Sequence, residues 1–130
     1  MKVNKVTPIL VVDAIEPLLP FWHGRLGFEK VVEVPHEGCL GFVLLARDGH
    51  EVMLQTRASI AADVPAVAAL APACALYCDV DSLDAAVAAV EGATVLVPRR
   101  KTFYGADEVW VRDPGGAVVG FAEVHQGSPG

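Results

Sequence analysis

The chain has few charges, few cysteines and no long basic run, and each scarcity removes a class of function. Its longest cationic stretch is Arg99-Arg100-Lys101, and ten Lys and Arg stand against sixteen Asp and Glu, a formal net charge of −6. A phosphate backbone meets no cationic stripe to bind, so nucleic acid is excluded as a partner. The three cysteines, Cys39, Cys74 and Cys78, form no Cys-x-x-Cys pair. An odd number without that motif reads as reduced thiols of the cytoplasm and not as a disulfide framework or zinc site. No apolar run reaches the ~20 residues a bilayer requires. Val64 to Cys78 is interrupted by Pro65 and Pro72, and Pro8 to Val12 is too short for a signal-peptide core. A membrane partner is not expected. Gly-rich phosphate loops and nucleophile–base pairs are also missing, since Ser59, Ser82 and Ser128 fall in loops or caps.

What is present is apolar: 53% of 130 residues are hydrophobic. That share suits one domain with a substantial core and surface left to bury against a second subunit. Val6 to Val12 is rich in β-branched residues and predicts a strand. Asp13 and Glu16 have the spacing of a capping box, and Ile15, Leu18, Leu19, Trp22 and Leu26 continue a helical period to Gly27. Pro20 is expected to kink this helix. Three β-type runs follow, Phe28 to Val34, Leu40 to Ala46 and Glu51 to Thr56, broken at Pro35–Gly38 and Asp48–His50.

After an Ala/Pro-rich connector the plan repeats. Cys74 to Val80 reads as a strand, Asp81 or Ser82 as a cap, and Leu83, Val87 and Val90 as a helix face ending at Gly92. Thr94 to Val97, Glu108 to Arg112 and Ala117 to Val124 complete the second set of strands, the last after the turn Asp113-Pro114-Gly115-Gly116. Asp13, Ile15, Glu16 and Leu19 match Asp81, Leu83, Asp84 and Val87 at a constant offset. The reading is therefore α+β: two βαβββ modules forming a curved mixed sheet around one cavity. Module one covers about 5–57, a linker 58–72, module two about 73–124, and 125–130 is a loose tail, all within one domain, 1–130.

Val12-Asp13-Ala14-Ile15-Glu16, Phe21-Trp22, Leu26-Gly27-Phe28 and Asp113-Pro114-Gly115-Gly116, in that order, resemble the vicinal oxygen chelate superfamily of glyoxalases, bleomycin-resistance proteins and dioxygenases. The resemblance runs from Lys5 to Val124 and implies a homodimer. It also implies, in metal-dependent members, four His or Glu ligands, two from each module. The corresponding positions are Thr7, Leu54 (Met53 or Gln55 in a slipped register), Ala75 and Gly120, which cannot hold a metal. His23, His36, His50 and His125 share no ligand spacing and read as exposed helix, turn and tail residues. No cofactor is expected.

The remaining candidates are ligand-binding residues. Phe103 and Tyr104 precede a strand, Trp110 alternates there with Glu108 and Arg112, and Gln55 and Arg57 alternate with Met53 on the fourth strand. A Trp among charged neighbours suggests a wet pocket wall, or else a residue set against a partner subunit. Arg99-Arg100-Lys101 reads as a surface loop, and Phe42 and Trp22 as core. Glu108 and Asp107, with the net charge, suit a cationic ligand. The expectation is a cytoplasmic small-molecule binding protein for a cationic or aromatic compound such as an antibiotic, resembling the metal-free bleomycin-resistance branch. The alternative is a glyoxalase-like metal-dependent lyase or related dioxygenase-like enzyme, and a third reading is a regulatory module using the cavity as a sensor.

Overall fold

A computed structural model of the chain describes residues 1–124, so His125 and the tail expected to be loose lie outside the described residues. The chain divides into two compact units, Thr7–Cys74, and Ala75 onward together with Met1–Val6. Each carries a four-stranded mixed sheet, and the fold is α+β with two modules of the expected kind.

In the first module β1 (Val3–Val12), β2 (Glu29–His36), β3 (Cys39–Arg47) and β4 (His50–Thr56) are ordered β2-β3-β4-β1. β1 runs parallel to β4, and the other neighbours are antiparallel. The β3–β4 hairpin turns on Asp48 and Gly49, both at positive φ (53° and 82°), the conformation a tight two-residue turn needs. Side chains on alternate residues take opposite faces. Leu10, Val12, Val43, Leu45, Val52 and Leu54 share the face packed against Ile15, Leu18, Leu19 and Trp22. Leu54 pairs with Leu10, and its neighbours Met53 and Gln55 pair with Ile9 and Val11 on the other face. Phe42, expected in the core, pairs with Gln55 on that second face and stands outside the buried cluster. Trp22 is in contact with the core, edge-on to Phe28 at 5.4 Å.

The first helix departs from expectation. It is a short 3₁₀ turn, Glu16–Leu18, followed by a π-helical segment, Pro20–Arg25. Pro17 and Pro20 withhold two N–H donors, so a regular i→i−4 ladder cannot run through. The capping box does not form either. Glu16 instead accepts from the Leu40 N–H at 2.7 Å, which holds its carboxyl below the usual range, and Asp13 pairs with Arg57 at 3.0 Å. The connector folds into two short helices, α1 (Arg57–Asp63), capped by Thr56 through Ser59 N–H, and α2 (Pro65–Ala68).

The second module repeats the order: β6 (Thr94–Lys101), β7 (Ala106–Arg112), β8 (Val118–Val124) and β5 (Cys74–Val80), with β5 parallel to β8. Ser82 caps α3 (Leu83–Ala89) by accepting from Ala85 N–H at 3.1 Å. Leu83 and Ala86 pack on Cys78, Val80, Val109 and Val111. Of the two cysteines of β5, Cys78 is buried, and burial raises its thiol pKa, whereas Cys74 is exposed. Strand β6 does not stop at Pro98. It sits at the edge of its sheet, where a missing N–H is tolerated, and continues through two register irregularities to Lys101.

Candidate functional site

The extension of β6 builds the site. Thr102 N–H donates to Ala106 O at 2.8 Å and Gly105 adopts φ 83°, closing the β6–β7 hairpin around Phe103 and Tyr104. That turn sets the register Arg100↔Glu108 and Lys101↔Asp107. In β7, Val109 and Val111 join the core beneath α3, so Glu108 and Trp110 take the opposite face. Across β8, Trp110 pairs with Gly120 and Gly120 with Tyr77. A Cβ on Gly120 would lie 2.9 Å from three atoms of the Trp110 ring, so only glycine admits the indole there. With no side chain between them, Tyr77 and Trp110 approach to 5.6 Å between ring centroids.

At the centre is Glu108, with no exposed surface. An isolated carboxylate in such a place is prohibitively costly, and this one is compensated on both oxygens. Oε1 accepts from Arg100 Nε (3.0 Å), Arg100 Nη2 (2.7 Å) and Trp110 Nε1 (2.9 Å). Oε2 accepts from the hydroxyls of Tyr77 (2.6 Å) and Tyr104 (2.7 Å). Burial first, then charge repulsion from Glu108 and, for Tyr77, from Tyr104 ahead of it, raises the pKa of both phenols well above the usual tyrosine range. Both stay protonated and aimed at Glu108. With its lone pairs taken, the carboxylate is no ready base. It is an organising anion that orients two phenols, an indole and a guanidinium.

Of the sequence candidates, Tyr104, Glu108 and Trp110 come together here. Phe103 is beside them at the hairpin tip, 82% exposed and edge-on to Tyr104 at 5.0 Å. The wet strand face expected around Trp110 is instead buried, Trp110 being 6% exposed. Arg100 is a strand residue bound to Glu108, not part of a surface loop. Arg99 pairs with Asp84 at 2.5 Å, and Lys101 with Asp107 at 3.7 Å. Tyr77 was missed by the sequence reading; a tyrosine alternating into a strand of small apolar residues was the available signal. Gln55 and Arg57 belong to the first module. Gln55 donates to Ser59 Oγ at 3.1 Å. Arg57 does not alternate on the fourth strand, because β4 ends at Thr56 and Arg57 opens α1, bound to Asp13.

The positions that would carry a divalent ion fit one poorly. Leu54 is wholly buried on the helix-packed face, while Gln55 is on the other face. Ala75 has no donor atom, and Gly120 lies beneath Trp110. Thr7 offers one buried hydroxyl. Among the described residues no three His, Cys, Asp or Glu side chains group as ligands. His23 is held by Phe28 O at 2.7 Å, and His36 and His50 sit at strand ends flanking turns.

Residues 2–121 match the family model of the Glyoxalase/Bleomycin resistance protein/Dioxygenase superfamily, and the chain belongs to that superfamily. A superfamily member from Vibrio splendidus 12B01 is similar over 94% of this chain and 99% of its own, with 25% identity and TM-score 0.71. Methylmalonyl-CoA epimerase from Mycobacterium tuberculosis shares the fold at 20% identity and TM-score 0.71, over 95% of this chain and 89% of its own. A Streptomyces coelicolor methylmalonyl-CoA epimerase variant, in complex with 2-nitronate-propionyl-CoA, shares it at 15% identity and TM-score 0.65, over 96% and 97%. No curated protein is a significant match. No helix among the described residues is long and apolar enough to cross a membrane.

Proposed function

We propose that this chain is a small-molecule binding protein of the superfamily that works without a metal, taking a cationic or aromatic compound such as an antibiotic. One observation carries the reading. At the second-module position where a ligand side chain would stand, Gly120 instead admits Trp110, which belongs to a part-buried cluster with Tyr77, Tyr104, Arg100 and Glu108. That cluster is aromatic, rigidly hydrogen-bonded and poor in free bases, properties suited to recognition more than turnover. The ligand-binding residues on this reading are Phe103, Tyr104, Glu108 and Trp110, joined by Tyr77 and Arg100. Gln55 is retained as a candidate of the first module, since Met53 and Gln55 share the face opposite the packed helix. Arg57, engaged by Asp13, is the weaker of the two.

The odd cysteine count and exposed apolar strand residues such as Val31 and Val95 support a cytoplasmic homodimer. Elemental analysis of protein purified without chelator, with calorimetry against cationic and aromatic compounds, tests the function. Substoichiometric divalent metal together with saturable binding is expected. About one tightly held ion per chain would instead favour a metal-dependent lyase of glyoxalase type.

A further inference from the structure

The hydrogens of the cluster are committed in one direction, and this restricts what a ligand can meet there. A phenol has one O–H to donate and oxygen lone pairs to accept with. Tyr77 and Tyr104 both donate to Glu108 Oε2, and the Trp110 N–H donates to Oε1. Each O–H dipole therefore has its positive end on the carboxylate and its negative end, the phenolic oxygen, turned away from it. Donation to an anion also strengthens the oxygen as an acceptor. Tyr104 remains 38% exposed at the hairpin beside Phe103, so this residue keeps surface open to a visiting molecule.

Resting on the reading of this cluster as a ligand site, we infer that it selects ligands presenting an N–H donor, above all an ammonium, on an aromatic body. The tyrosine oxygens receive the donor, and the Phe103 and Tyr104 rings receive the aromatic part. An ammonium there completes a chain N–H to phenol O, phenol O–H to Glu108. The charge of Glu108 is thus felt by a ligand that never touches it. A carboxylate or phosphate in the same place would face two lone-pair-bearing oxygens with an anion behind them. Arg100 is the one group of the cluster that could draw an anion instead, its side chain being 26% exposed.

Three indoles of one shape separate these outcomes: tryptamine, uncharged 3-methylindole and indole-3-acetate. Binding is followed by calorimetry and by the Trp110 indole N–H resonance, assigned by comparison with Trp22→Phe. Tryptamine is expected to bind about tenfold more tightly than indole-3-acetate, the scale of one charge-assisted hydrogen bond. Tyr104→Phe, which keeps the ring and removes the acceptor, is expected to bring the two within about threefold of each other, and Tyr77→Phe to act in the same direction. If indole-3-acetate binds as tightly as tryptamine, or the preference survives both substitutions, the donor inference is overturned while small-molecule binding stands. If none of the three moves the Trp110 resonance, the binding reading falls with it.

Discussion

Glu108 decides the character of this protein, because a wholly buried carboxylate dictates what its neighbours must be. Glu108→Gln keeps the shape, but removes the charge opposite Arg100 and turns an acceptor toward a donor. Loss of a buried pair costs about 3–5 kcal/mol, and the partial exposure of Arg100 places this change near the lower end. Urea denaturation of the variant should show it as a lowered midpoint with native far-ultraviolet dichroism below the transition. Tyr77 and Tyr104 are the chain's two tyrosines, so its phenolate absorbance reports on nothing else. Both pKa values are raised in the folded state. Their contribution to stability is then full below the unfolded value near 10 and is lost as pH climbs above it. Alkaline titration should show no phenolate signal in the native protein through that range, and then one cooperative rise coinciding with unfolding. An ordinary titration centred near 10 would contradict the cluster. Gly120→Ala forces a Cβ into the Trp110 ring and should cost about 1–3 kcal/mol, with a shifted Trp110 indole resonance. At this scale Tyr104, Glu108 and Trp110 were legible in the sequence, since they are on one hairpin. Tyr77 and Arg100 were not, the first because it arrives from β5 across β8. Arg100 was hidden by Pro98, which on an edge strand does not end the pairing.

Among the elements, the two helices that begin the modules look alike in sequence and are built differently. Both follow a strand and a capping-type residue, and Ile15 and Leu83 are each wholly buried at matching positions. Yet Ser82 caps α3, whereas Asp13 caps nothing and reaches Arg57. Ser82→Ala should therefore destabilise the protein by about 1 kcal/mol. Asp13→Ala should cost less, as an exposed ion pair contributes little; thermal melts of the two variants side by side provide the check. Equal losses would mean that Asp13 does act as a cap. The difference was hidden in the sequence because a capping box is a spacing, and the competing partner, Leu40 N–H for Glu16, is distant in the chain. Strands were easier to place, because their turns are marked by Asp48-Gly49 and Asp113-Pro114-Gly115-Gly116. The length of β6 was the exception. Once the turn is centred on Tyr104, counting outward pairs Lys101 with Asp107 and Arg100 with Glu108.

Over the whole molecule, the duplication preserves the scaffold and divides the chemistry unequally. Each module has the same strand order with its first and last strands parallel. On the face away from its helix the first module presents Ile9, Val11, Met53 and Gln55, while the second carries the clasped Glu108. The superfamily was legible from short motifs in order, since those motifs mark turns and helix starts that the fold requires. The hydrogen-bonded cluster around Glu108 was not, because it depends on side chains that meet across strands, and no spacing encodes that. The proposed function rests on recognition without a metal. The most direct measurement is calorimetric titration of tryptamine into the protein after exhaustive dialysis against chelator, repeated with excess zinc. Saturable binding with the same affinity in both is expected; binding heat that appears only when zinc is restored would mean that recognition needs the metal.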